Sequence, residues 1–97
     1  MDKEQLSQNA EQAERFLKLL ANKNRLMILC ALLEKELCVS DLNEQVQLTQ
    51  SALSQHLSHL RNANMVATRR QSQTIFYRID NPDVKATLDQ LYKIFCN

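Results

Sequence analysis

Not one residue of this 97-residue chain is glycine, and only one is proline. Glycine-rich phosphate loops are thereby excluded, and with them dinucleotide-binding and P-loop folds. Sheet-rich folds also need frequent turns of special backbone geometry, which this chain cannot supply cheaply. A mainly helical protein is the expectation. The length allows one small domain, residues 1–97, without a second core or a large enclosed active site. A hydrophobic fraction of 44% fits a globular chain rather than a disordered one. The longest apolar run, Leu26 to Leu33, is far short of the roughly 20 residues of a membrane span. The polar N-terminus has no signal-peptide core, so the cytoplasm is the expected location and no membrane partner is expected.

The net charge of +1 hides an uneven distribution. Residues 1–48 hold six Lys/Arg against eight Asp/Glu, residues 49–79 hold four Arg and no acid, and residues 80–97 hold two Lys against three Asp. A basic middle third suggests a surface for a polyanion. The three cysteines, Cys30, Cys38 and Cys96, form no CxxC and no even-numbered secretory framework, so thiols are expected.

Apolar residues Leu6, Ala10, Ala13, Leu17 and Leu20 step by four and three, which predicts an amphipathic first helix. Leu26 to Leu33 is apolar on every side and predicts a second, central helix packed all round. Ser40 is the expected cap of a short third helix carrying Leu42 and Val46. Thr49 caps a fourth, in which Leu53, Leu57 and Leu60 form the inner stripe. Between Met65 and Ile79 the period changes to that of a β-hairpin with its tip near Gln71 to Gln73. Asn81 followed by Pro82 starts a fifth helix, with Val84, Leu88, Leu91 and Phe95 on its stripe, running to the C-terminus.

Two short helices, Ser40 to Val46 and Thr49 to Arg61, followed at once by a basic hairpin, make a winged helix-turn-helix. Gln50, Ser51, Ser54 and Gln55 on the outer face of the second can donate and accept hydrogen bonds at base edges of double-stranded DNA, with no acid to repel phosphate. Arg69, Arg70 and Arg78 on the hairpin are placed for backbone phosphates. His56, on the flank of the leucine stripe, is expected to be a packed, hydrogen-bonded helix histidine. No nucleophile, base and acid set is readable, so neither an enzyme nor a cofactor is expected.

Glu36-Leu37-Cys38-Val39-Ser40-Asp41-Leu42, Leu48-Thr49-Gln50-Ser51-Ala52-Leu53-Ser54-Gln55-His56-Leu57 and Thr74-Ile75-Phe76-Tyr77 together resemble the ArsR/SmtB family of bacterial winged-helix repressors, over about Phe16 to Cys96. The resemblance implies a homodimer paired through the first and fifth helices, binding an operator palindrome and releasing it when an inducer is sensed. It also implies operator contacts at Gln50, Ser51, Ser54 and Gln55. The stripes of the two paired helices exceed what one small core needs, and Leu17 and Leu88 are the expected seam residues. Metal-sensing members carry a Cys-Val-Cys box or Asp/His pairs on the last helix. Here the box is reduced to Cys38-Val39-Ser40 and the last helix has no histidine, so the three or four converging N/S ligands of a zinc or arsenic site are not expected. One cysteine in the second helix and one in the fifth, Cys30 and Cys96, resemble instead the persulfide-responsive branch (BigR-, SqrR- and HlyU-like repressors), whose dithiol reacts with reactive sulfur species. Two alternatives stay open: a metal- or metalloid-responsive repressor using Cys38, and a winged-helix module that binds protein.

Overall fold

Side-chain caps start four of the five helices in the computed structural model, which describes residues 1–96. Asp2 Oδ1 accepts from the Gln5 N–H at 2.7 Å and opens α1 (Lys3–Leu20), one turn before the apolar stripe begins. Asn22 Oδ1 accepts from the N–H groups of Asn24 and Arg25 at 3.0 and 3.1 Å and opens α2 (Lys23–Ala31). The exception is α3 (Val39–Gln45), where Cys38 occupies the cap position without a capping bond. The expected cap, Ser40, lies inside its first turn. The reason is a strand that the sequence pattern did not announce: β1 (Leu37–Cys38) is held extended by its pairing partners, so the chain turns helical only after Cys38. Thr49 Oγ1 accepts from the Ala52 N–H at 3.1 Å to open α4 (Gln50–Asn62). After the hairpin, Asn81 Oδ1 accepts from Asp83 and Val84 at 2.9 and 3.3 Å to open α5 (Pro82–Phe95), with Pro82 in the first turn. Each such cap contributes about 1 kcal/mol.

The hairpin forms as expected, from β2 (Val66–Gln71) and β3 (Thr74–Ile79), and β1 adds to the free edge of β3 to give the antiparallel order β1-β3-β2. Without glycine, two ordinary residues among those described take positive φ: Ser72 at 58° in the hairpin turn and Asn64 at 60° after α4. The left-handed region costs an L-residue about 1–2 kcal/mol, and asparagine is among the few side chains that visit it readily.

Leu53, Leu57 and Leu60 of α4 are at most 1% exposed and meet Ile28, Leu29, Leu42 and Val46 in one core. Two expectations need correction. First, α2 is not packed all round: Ile28 and Leu29 are fully buried, but Met27 is 40% exposed and Cys30 also faces outward. An all-apolar run carries no information about sidedness, and α1 and α3 cover only part of this helix. Second, Leu88 is a core residue at 1% exposure, not a seam residue. The outward apolar residues of α5 are Tyr92, Ile94 and Phe95. On α1 only Leu20 is buried, while Leu6 and Leu17 are more than half exposed. The helix projects from the body, and the radius of gyration of 14.8 Å exceeds the about 13 Å of a compact chain this long. No helix of the described residues is long and apolar enough to cross a membrane.

Candidate functional site

The connection between α3 and α4 is tight although it has no glycine. Asn43 explains how: its Nδ2 donates to the carbonyls of Val46 and Leu48 at 3.3 and 2.8 Å, stapling residues 46–48 from inside α3. Its side-chain amide takes over carbonyls that a turn would otherwise leave to solvent. The sequence signal was weak, because an Asn inside a predicted helix has no positional signature. With the turn fixed, the leucine stripe anchors α4 inward and presents Gln50, Ser51, Ser54 and Gln55, all exposed, on the opposite side. This is a continuous donor and acceptor surface free of side-chain charge.

The wing is less simple than its sequence. Arg70 is exposed and Arg78 half-buried. Arg69 is engaged: its Nε donates to Glu36 Oε1 at 2.7 Å, its Nη1 donates to Gln71 Oε1 at 3.0 Å, and its guanidinium lies 4.5 Å from the centre of the Phe76 ring. Residues 49–79 hold no acid, yet Glu36, just before β1, supplies one from elsewhere in the chain. Arg69 is therefore a clamped cation rather than the free one its sequence neighbourhood suggested.

His56 is packed as expected, but its Nδ1 is buried with no hydrogen-bond partner among the described residues. Burial first, then the Arg25 guanidinium and His59, hold its pKa below the ordinary 6.5, so it is neutral at neutral pH. Arg25 itself binds the end of α1, donating from Nε to the Leu19 carbonyl at 2.6 Å and from Nη2 to the Lys18 carbonyl at 3.1 Å.

Cys30 and Cys96 line one open cleft of about 460 Å³, with Leu33, Glu34, Lys35, Gln45 and Tyr92 around them. Both are free thiols at the surface. Partial burial, then the electrostatic influence of the neighbouring Cys96, pushes the Cys30 thiol above its ordinary 9.0, so Cys30 is protonated at neutral pH. Cys38 lies apart, half-buried at the start of α3, 3.2 Å from Ser40 Oγ and donating to Asp41 Oδ2 at 3.3 Å. Among the described residues no three His, Cys, Asp or Glu side chains cluster as metal ligands would.

Residues 22–68 match the pattern of bacterial regulatory proteins of the arsR family. Over 96 residues the chain is 43% identical to the transcriptional activator HlyU of Vibrio cholerae, spanning 99% of this chain and 89% of that protein. The fold superposes on reduced HlyU from the same organism with a TM-score of 0.91 at 43% identity, covering 96% of this chain and 98% of that one. The transcriptional repressor BigR from Xylella fastidiosa superposes with a TM-score of 0.88 at 37% identity, covering 100% and 99%.

Proposed function

Since this chain belongs to the arsR family of bacterial transcriptional regulators, we propose that it is a homodimeric repressor that binds an operator palindrome when reduced and releases it when Cys30 and Cys96 are bridged by reactive sulfur species. It works in the cytoplasm, where its operator is. Gln50, Ser51, Ser54 and Gln55 read base edges in the major groove, and Arg69 and Arg70 meet phosphates. The unpartnered apolar residues of α1 and α5, Leu6, Leu17, Tyr92 and Phe95 among them, support the dimer seam. A seam of this kind sets the spacing of about 34 Å that two recognition helices need to enter successive major grooves.

The observation that carries the switch is that Cys30 and Cys96 share one cleft while Cys38 does not. A protein thiol, giving up its proton as it reacts, attacks the terminal sulfur of a persulfide RSSH, the S–S bond breaks, and the thiol RSH leaves with that proton. When both cysteines have been converted in this way, one persulfide attacks the cysteine sulfur of the other and expels hydrogen sulfide, leaving a trisulfide bridge. Two RSSH and two protein thiols thus give one bridge, two RSH and one hydrogen sulfide, and each further RSSH lengthens the bridge by one sulfur. A plain disulfide needs Cα atoms within about 7 Å, and each inserted sulfur extends the reach by about 2 Å. Selectivity for persulfides over hydrogen peroxide follows if the reduced thiols sit beyond that limit.

Reduced protein is expected to bind DNA and bridged protein to bind it worse, read by anisotropy with intact mass recorded on the same sample. Cys30→Ser and Cys96→Ser should each bind and fail to release under glutathione persulfide, while Cys38→Ser should behave like the parent. Normal release by either of the first two, or loss of response in Cys38→Ser alone, would overturn the dithiol assignment in favour of a sensor built on Cys38.

A further inference from the structure

We propose that Glu36 is the positioning residue for Arg69 at the DNA backbone, and the residue through which the cysteine cleft acts on the wing. The first half stands on sheet geometry. Cys38, Phe76 and Arg69 lie in register across β1, β3 and β2, and residues two apart along a strand share a face. Glu36 stands immediately before β1 and accepts from Arg69 Nε across β3, while the Arg69 guanidinium lies over the ring of Phe76. Three contacts fix the guanidinium: Glu36 at Nε, Gln71 at one Nη1 hydrogen, and the aromatic face beneath. The Nη2 hydrogens and the second Nη1 hydrogen are left to donate. An arginine held this way offers a phosphate a planar fork whose side-chain freedom is already restricted before DNA arrives.

The second half rests on the dithiol reading above. Leu33, Glu34 and Lys35 form a wall of the cleft that holds Cys30 and Cys96, and Glu36 is the next residue of the chain. Successive Cα atoms are about 3.8 Å apart, so a displacement of the Lys35 backbone is passed directly to the backbone of Glu36. A bridge between Cys30 and Cys96 ties the end of α2 to the end of α5 and shifts the wall between them. A hydrogen bond weakens steeply once its distance and angle leave a narrow range, so the Glu36 grip on Arg69 is sensitive to a small shift. Released from Glu36, Arg69 loses its fixed pose and the wing loses a phosphate contact in each protomer.

The test uses the full-length dimer and a duplex enriched from a random-sequence pool by the reduced parent. Affinity is measured with the thiols reduced and after bridging by glutathione persulfide, with intact mass confirming the bridge in every variant. Glu36→Ala should weaken reduced binding by about tenfold, which is about threefold in each of two wings multiplied together and within the worth of one exposed ion pair per wing. Glu36→Gln, which keeps an acceptor for Nε, should stay close to the parent. In an Arg69→Ala background Glu36→Ala should change nothing further, an outcome that a purely structural role for Glu36 would not give. The ratio of reduced to bridged affinity should shrink in Glu36→Ala by the same factor. Tighter binding by both Glu36 variants would make Glu36 a competitor of phosphate and overturn the positioning role. An unchanged ratio in Glu36→Ala, beside a parent that does release DNA, would overturn the coupling alone. A bridged parent that keeps its DNA would overturn the dithiol reading and the coupling with it, leaving the reduced-state contrast to judge Glu36 as a positioning residue.

Discussion

Helices α1 and α4 follow the same sequence rule and come to opposite ends. Both have a side-chain cap and an apolar stripe stepping by three and four, yet Leu53 and Leu57 of α4 are at most 1% exposed whereas Leu6 and Leu17 of α1 are 56% and 57% exposed. Periodicity says which face of a helix seeks cover; it does not say whether the cover comes from the same chain. The apolar residues left open on α1 and on the end of α5 are what a second copy would cover.

The sharpest way to break that contrast is to damage each stripe once. Leu57→Ala should cost about 2–5 kcal/mol of folding stability, because it empties a site with no solvent access. Denaturant titration would show it as a lower midpoint. Leu17→Glu should leave protomer helicity largely intact and abolish the dimer, with operator binding lost alongside, seen by sedimentation and circular dichroism. If Leu17→Glu still sediments as the parent does, α1 is not the seam.

Next in size is the outer face of α4. Gln50→Ala should lower operator affinity by about 1–3 kcal/mol, the worth of a bidentate base contact, without moving the melting temperature. Equal affinity of variant and parent in a titration would remove Gln50 from the interface.

The caps sharpen the same contrast at lower cost. Thr49→Ala should reduce global stability by about 1 kcal/mol, because α4 is part of the cooperative core. Asp2→Ala should reduce it by much less, because the first turn of α1 is exposed on every side and frays without the core noticing. Paired thermal melts would read both.

The smallest effect is protonation at His56. The fold holds its pKa below 6.5, so the unfolded chain takes up the proton first. The associated stability is complete above pH 6.5 and is lost as the pH falls from there through the folded value. Melts at about pH 7.5 and about pH 5.5 should show a larger acid loss for the parent than for His56→Gln. Equal losses would mean that other groups dominate the acid response.

Much of this was readable beforehand. The caps at Thr49 and Asn81, the leucine stripe of α4 and the change of period at Met65 are local signals, and the helix-turn-helix and wing followed from them. What escaped was non-local or small. β1 is two residues long, below any periodicity window, and exists only because β3 offers it an edge. The cap of α3 moved from Ser40 to Cys38 for the same reason. Glu36 and Arg69 are brought together by sheet register, and no spacing along the chain encodes their contact. The outward position of Cys30 was hidden by the uniform apolarity of its neighbours. By contrast, the chemistry of the α4 face was visible in full, because it is carried by consecutive turns of one helix.

The late arrival of β1 bears on the order in which the molecule assembles and comes apart. The β2–β3 hairpin closes locally, on a timescale of about 1–10 μs. Pairing Leu37 with Tyr77 must instead close a loop of about 40 residues, and it wins only two residues of ladder. β1 therefore joins a hairpin that already exists, and it is the first part of the sheet to let go. Amide exchange at Leu37 and Cys38 should be the fastest in the sheet. On the side of β3 away from β2, the sheet thus ends in the segment whose pairing is the least costly of its ladders to open.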